Sequence, residues 1–139
     1  RFDQAIDMIQ HTQGRLIVSG MGKSGHIGRK IAATFASTGQ PSLFLHAAEA
    51  SHGDLGMIAS GDTLLLISYS GEAKELTTII DYSHRLSLPI ISITGQEHST
   101  LARLSTLALV LPRVNEACPM GLAPTTSTTL TLALGDALA

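Results

Sequence analysis

Gly20-Met-Gly-Lys-Ser-Gly-His26 is the stretch on which the fold of this chain turns. The apolar run Leu16-Ile-Val18 leads into it, and a run with helical spacing, Ile27 to Ser37, leaves it. A Gly-rich turn between a strand and a helix gathers backbone N–H groups at the positive end of the helix dipole. That is a seat for an anion, most often a phosphate. Lys23 adds a full positive charge and Ser24 a hydroxyl. Gly20, Gly22 and Gly25 also match the dinucleotide pattern G-x-G-x-x-G, with Glu49 near where a ribose-binding acid would sit. Against a dinucleotide, Lys23 fills the middle of the turn that a pyrophosphate must approach closely. A P-loop is excluded, because Gly22-Lys23-Ser24 would require glycine at position 17, where Ile17 stands. A tight strand–helix turn without a ligand is the competing reading, but Lys and Ser are poor packing choices inside one.

Outward from this turn the chain alternates strand and helix. Phe2, Ile6 and Ile9 have helical spacing, and Gly14 ends that run. Leu16–Ser19 is apolar without alternation, as expected of a strand buried on both faces of a parallel sheet. The next helix is expected from Ser24, as N-cap, to Thr38, with Gly39 and Pro41 as its stop. Further strands are read at Ser42–His46, Thr63–Ile67, Pro89–Ile93 and Leu107–Leu111. Helices are read from about Glu72 to Leu86, from a cap at Ser99 to Leu104, and from about Thr125 onward. Ala47–Gly56 reads as a functional loop with a helical turn. The result is an α/β chain: a three-layer αβα sandwich on a five-stranded parallel sheet, strand order 2-1-3-4-5. Its ligand site is expected at the carboxyl ends of the strands, at the switch between the first and third.

Composition agrees with one domain over residues 1–139. Hydrophobic residues make up 44% of the chain and aromatic residues only 4%, with no Trp, so the core is aliphatic. Nine basic and eleven acidic residues give a net charge of −2, which offers no basic footprint for nucleic acid. Charged residues are only 14%, low for a free monomer surface, which points to oligomer contacts or to missing segments. The single cysteine, Cys118, excludes an internal disulfide, fits a reducing compartment, and reads as a small buried apolar residue rather than a nucleophile. No stretch approaches a membrane span and no signal peptide is visible. The chain opens on Arg1 and stops inside the apolar run Leu130–Ala139, so a fragment of a longer protein is expected.

Ser68-Tyr-Ser-Gly-Glu72 is a second small-polar turn at a strand end. Its two hydroxyls and glycine can wrap a phosphate without a metal, or simply cap the helix that follows. Glu72, Glu75 and Glu116 are the carboxylates nearest the expected site. A carboxylate in a dry cleft can have its pKa raised toward 7 and serve as a general base, whereas on the surface it is merely solvated. His46, Glu49 and His52 are spaced by three and spread around a helix, so no metal site is assigned; His52 fits better as a hydrogen-bonding site residue. Thr125-Thr-Ser-Thr-Thr129 is a hydroxyl-rich helix start, read first as capping and back-bonding.

Taken together, Gly20–His26, Glu49-Ala-Ser-His-Gly-Asp-Leu-Gly56, Ser68-x-Ser-Gly-Glu72 and Glu116-Ala-Cys-Pro-Met-Gly-Leu-Ala-Pro124 resemble the sugar isomerase (SIS) domain of bacterial arabinose-5-phosphate isomerases. The resemblance runs over essentially the whole chain and implies a flavodoxin-like fold. It implies interconversion of D-ribulose 5-phosphate and D-arabinose 5-phosphate for synthesis of Kdo, a sugar of lipopolysaccharide or capsule. It also implies a cytoplasmic homotetramer that needs no cofactor and acts on a sugar phosphate, not on nucleic acid or membrane. A C-terminal pair of CBS domains, frequent in the family, is not in this sequence. Carried over by position, the catalytic residues implied are Lys23, Glu75, Glu116 and His52. Gly22, Ser24, Ser68, Ser70, Glu72, Thr125, Thr126, Ser127 and Thr128 are the expected substrate- and phosphate-binding residues. A further catalytic histidine of the family falls in a segment beyond Ala139. Tyr69 stands where Asn is common and Ala73 where Thr is common. On this reading Glu116 is the base, Lys23 stabilises the enediolate and the phosphate end, and Glu75 orients Lys23 or relays protons. The rivals are an isomerase of another sugar phosphate, a non-catalytic sugar-phosphate sensor, and a dinucleotide-binding domain.

Overall fold

The computed structural model describes residues 1–139. Five strands, β1 (Leu16–Gly20), β2 (Ser42–His46), β3 (Thr63–Ile67), β4 (Ile90–Thr94) and β5 (Leu107–Val110), form one sheet in the order β2-β1-β3-β4-β5. All neighbours are parallel, and Val18 lies between Phe44 of β2 and Leu65 of β3. β1, β3 and β4 are buried along their whole length, the physical counterpart of their unbroken apolar runs.

Six helices cover the sheet: α1 (Phe2–Gln10), α2 (Gly22–Thr38), α3 (Ala47–Ala50), α4 (Thr77–Arg85), α5 (Thr100–Leu104) and α6 (Thr126–Leu138). One face carries α1, α2 and α6 over Leu16, Val18, Leu65, Ile67, Ile91 and Ile93. The other carries α3, α4 and α5 over Ile17, Leu64, Leu66 and Ile90. The three-layer sandwich and its strand order agree with the sequence reading.

Two boundaries differ from expectation. α2 begins at Gly22 with Met21 in the extended N-cap position, so Ser24 lies inside the first turn and caps nothing. The reason is Gly25. A Cβ there would stand 2.9 Å from the carbonyl oxygen of Gly20, so its absence lets the helix start directly against the end of β1. The helix expected from Glu72 instead starts as a 3-10 turn, Lys74–Leu76, and becomes α4 only at Thr77. Ala73 before it is extended, because Glu72 is bonded elsewhere, as described below.

α6 packs mainly on α2. Ser127, Thr131 and Gly135, four residues apart, form its buried stripe, and the glycine receives the side chain of Ile31. Lys30 on α2 meets Asp136 on α6 at 2.6 Å beside this contact. The packing carries the start of α6 to the carboxyl end of β1. No helix is long and apolar enough to cross a membrane.

Candidate active site

The turns after β1 and β3 lie side by side at the carboxyl edge, because these two strands are neighbours. A cleft of about 270 Å³ opens there, lined by Ser24, Tyr69, Glu116, Ser127, Thr128 and Thr131, with Gly121, Leu122 and Pro124 at its loop side. Thus Ser24, Glu116, Ser127 and Thr128 come together from three separate segments. Thr131 and Tyr69 were not among the expected binding residues. Thr131 was legible in principle, since it is four residues past Ser127 and so shares its helix face.

Glu116 is the most constrained group in the cleft. Its Oε2 accepts the backbone N–H of Thr125 at 2.7 Å, the Thr125 hydroxyl at 3.0 Å and the backbone N–H of Ser127 at 3.2 Å. The carboxylate therefore caps α6 from nine residues upstream. Hydrogen bonding from the Ser127 hydroxyl, the Thr125 N–H and their companions holds its pKa down at about 2. The raised value expected of a carboxylate in a dry cleft is thereby overturned, because donors surround it where an apolar wall would be needed. Thr125 and Thr126 face the same loop: both hydroxyls accept the backbone N–H of Ala117, at 2.9 and 3.1 Å. The Thr128 hydroxyl donates to the Thr125 carbonyl at 2.8 Å.

The second turn is bound largely to itself. The buried Ser68 hydroxyl accepts the N–H of Gly71 at 3.1 Å, and the Ser70 hydroxyl accepts that of Glu72 at 3.3 Å. Neither hydroxyl donates within the protein, but Ser68 is buried and lines neither this cleft nor the next. The Glu72 carboxylate accepts the N–H of Thr100 at 2.8 Å, at the start of α5, and this bond pulls its pKa down. Ser70 and Glu72 line a different cleft of about 460 Å³, shared with Gly95, Gln96, His98 and Arg113.

Gly22, Lys23, Glu75 and His52, also expected at the site, are not among the residues that line the cleft. Gly22 has a φ of +54° and open space on its Cβ side. Lys23, Glu75 and His52 are exposed, and none of their side chains is hydrogen-bonded. Glu75 sits in the 3-10 turn before α4, and His52 between α3 and the following turn at Asp54–Met57. His46 Nδ1 accepts the N–H of Ala48 at 3.2 Å and caps α3. Cys118 is half-exposed, not buried as expected. Backbone N–H groups of Ala123, Leu122 and Met120 face its thiol and lower its pKa.

The fold is that of a doubly wound parallel domain with hydroxyl-lined turns at its switch point. The chain belongs to the SIS domain family, whose model matches residues 8–139. It is 54% identical over 138 residues to arabinose 5-phosphate isomerase KdsD of Escherichia coli (strain K12), covering 99% of this chain and 42% of that protein. It is 56% identical over 138 residues to arabinose 5-phosphate isomerase GutQ of Salmonella typhi, covering 99% of this chain and 43% of that protein. The chain thus spans about two-fifths of the curated relatives it matches. Among solved structures, E. coli CFT073 c3406 in complex with A5P superposes with a TM-score of 0.95 at 46% identity, covering 99% of this chain and 73% of that one.

Proposed function

We propose that the protein carrying this domain is an aldose–ketose isomerase that interconverts D-ribulose 5-phosphate and D-arabinose 5-phosphate, in the supply of Kdo. The observation that carries the reading is the cleft that joins Ser24, Glu116, Ser127 and Thr128, in a chain more than half identical to arabinose 5-phosphate isomerases. The reaction moves a proton between C1 and C2 and needs a base together with stabilisation of charge on two oxygens. No metal or redox cofactor enters this scheme.

Ser24 and the start of α6, Thr125–Thr128, supply hydroxyl and N–H donors for the phosphate, those of Thr125 and Ser127 as Glu116 releases them, with Gly22 allowing close backbone approach; Ser70 opens into the neighbouring cleft and Ser68 holds the second turn. Glu72 holds the second turn against α5. Lys23, exposed in the first turn of α2, carries the positive charge that the enediolate oxygen requires. Glu116 is ionised at neutral pH and acts as base: it takes the proton from C1 of the ketose and delivers it to C2. To do so it gives up part of its bonding to α6, because a carboxylate held near 2 is a weak base. Glu75 orients Lys23 or moves the proton between O1 and O2. His52 hydrogen-bonds the sugar, and a histidine outside this stretch completes the set. We place the enzyme in the cytoplasm as a homotetramer. The nearly bare side chains of Met120 and Leu122, beside the cleft, support contact with another subunit.

Exchange of the C1 proton of ribulose 5-phosphate with solvent, measured on the full-length protein, tests the scheme. Glu116→Gln should abolish exchange, and Glu75→Gln should slow isomerisation while leaving exchange measurable. The opposite pattern exchanges the two roles. Exchange retained in both variants removes the scheme.

A further inference from the structure

Tyr69 stands between two clefts. It lines the one that holds Ser24 and Glu116, whereas Gly95, directly behind its ring, lines the larger one with Ser70, Gln96, His98 and Arg113. The ring is seated on Gly95 so closely that a Cβ there would stand 2.5 Å from Cε2 and 2.8 Å from Cζ. Its backbone is equally fixed. The Tyr69 carbonyl accepts the N–H of Gly95 at 2.9 Å and the Thr94 hydroxyl at 3.3 Å, and the Ser68–Gly71 bond closes the turn around it. The ring packs on the core under α2 and α6, and its hydroxyl has no hydrogen-bond partner in the protein. Tyrosine is therefore held here by the shape of its ring, and Gly95 stops the ring from retreating away from the smaller cleft.

We infer that Tyr69, braced by Gly95, is the end wall of the sugar-phosphate cleft and limits its occupant to a five-carbon chain. The inference rests on the sugar-phosphate reading above. Removing the ring would join a space of about 270 Å³ to one of about 460 Å³, so that longer polyol phosphates find room. Adding a methyl at Gly95 does the reverse, pushing the ring into the smaller cleft.

Calorimetry on the full-length protein tests this with two probes that cannot isomerise, D-arabinitol 5-phosphate and D-glucitol 6-phosphate. The wild type and Tyr69→Phe should prefer the five-carbon probe by about tenfold or more, because steric rejection sets the difference. Tyr69→Ala should shrink that preference to within about threefold by admitting the longer probe. Gly95→Ala should weaken the five-carbon probe about tenfold, and the double variant Tyr69→Ala, Gly95→Ala should recover it, because the two changes meet at one contact. An unchanged preference in cooperatively melting Tyr69→Ala removes the wall and leaves the sugar-phosphate reading standing. Should Tyr69→Ala not fold, full affinity in a folded Gly95→Ala removes it equally. If the wild type binds neither probe, the sugar-phosphate reading fails and the wall fails with it.

Discussion

At the residue scale, Glu116 joins stability to chemistry. Its carboxylate satisfies two N–H groups at the start of α6 that helical geometry leaves without partners. With a folded pKa of about 2, below the usual carboxylate value, the anion stabilises the native state. That contribution is complete above about pH 5 and is lost as pH falls through the interval toward 2. Thermal melting between pH 7 and pH 3 should therefore show a steeper acid-side loss for the wild type than for Glu116→Gln, whose amide does not titrate. Equal slopes would mean that the carboxylate does not cap α6 in solution. Placing Glu116 near the site needed only the sequence and its family resemblance. Its role as a cap was not legible, because the bond spans nine residues of loop and follows no helical or strand period.

At the scale of elements, the end of α4 shows a similar division. Its stop near Leu86 is legible in the sequence, but the geometry that makes it stop is not. Ser87 N–H bonds the His84 carbonyl at 3.0 Å and Leu88 N–H the Ser83 carbonyl at 2.9 Å, the pair of bonds that closes a helix through a left-handed residue. Ser87 occupies that position at φ +54°, without the glycine that favours it. Serine pays a steric penalty there, so Ser87→Gly should raise stability by about 0.5–1 kcal/mol, part of the relief being offset by a freer unfolded chain. Urea unfolding would show the midpoint rise with an unchanged slope; a fall would place the strain elsewhere.

The β1–α2 turn, by contrast, was legible in outline. Gly20, Gly22 and Gly25 marked a tight strand-to-helix passage, and the passage is there. The expected N-cap was misplaced because Ser is a strong capping residue by type. What decides the start is the approach of Gly25 to the Gly20 carbonyl. Only the tertiary packing of the helix on the strand sets that distance.

Across the whole molecule, the amino end of the sheet is locked by one ion pair. Asp62 is buried, and its carboxylate accepts Arg15 N–H and Ala59 N–H, both at 2.8 Å, and the Arg15 guanidinium at 3.0 Å. Arg15 also reaches the Met57 carbonyl at 2.7 Å, so the approach to β1 is tied to the approach to β3. Burial alone would raise the Asp62 pKa, but the Arg15 side chain and the two N–H groups outweigh it and the net shift is downward. Asp62→Ala should cost about 2–3 kcal/mol, less than for a fully buried pair because Arg15 is partly solvated. It should leave C1 exchange by the full-length enzyme intact below the melting temperature, since the pair lies at the sheet end opposite the cleft. Chemical denaturation together with the exchange assay checks both statements.

The amino-acid sequence by itself determined the sheet: its five strands, their parallel sense and their order. Unbroken apolar runs, punctuated by glycine and proline, leave a doubly wound sheet as the arrangement that buries both faces of each central strand. It also marked the two turns that flank the switch point. Only the tertiary structure decided which polar groups open into a cleft and which are bound by the protein itself. Ser24, Tyr69 and Glu116 meet through the docking of α6 on α2 and the seating of a ring on Gly95. Glu72 is drawn away to α5, 28 residues along the chain. These outcomes rest on contacts between distant segments, where a few tenths of an ångström in packing decide which donor meets which acceptor.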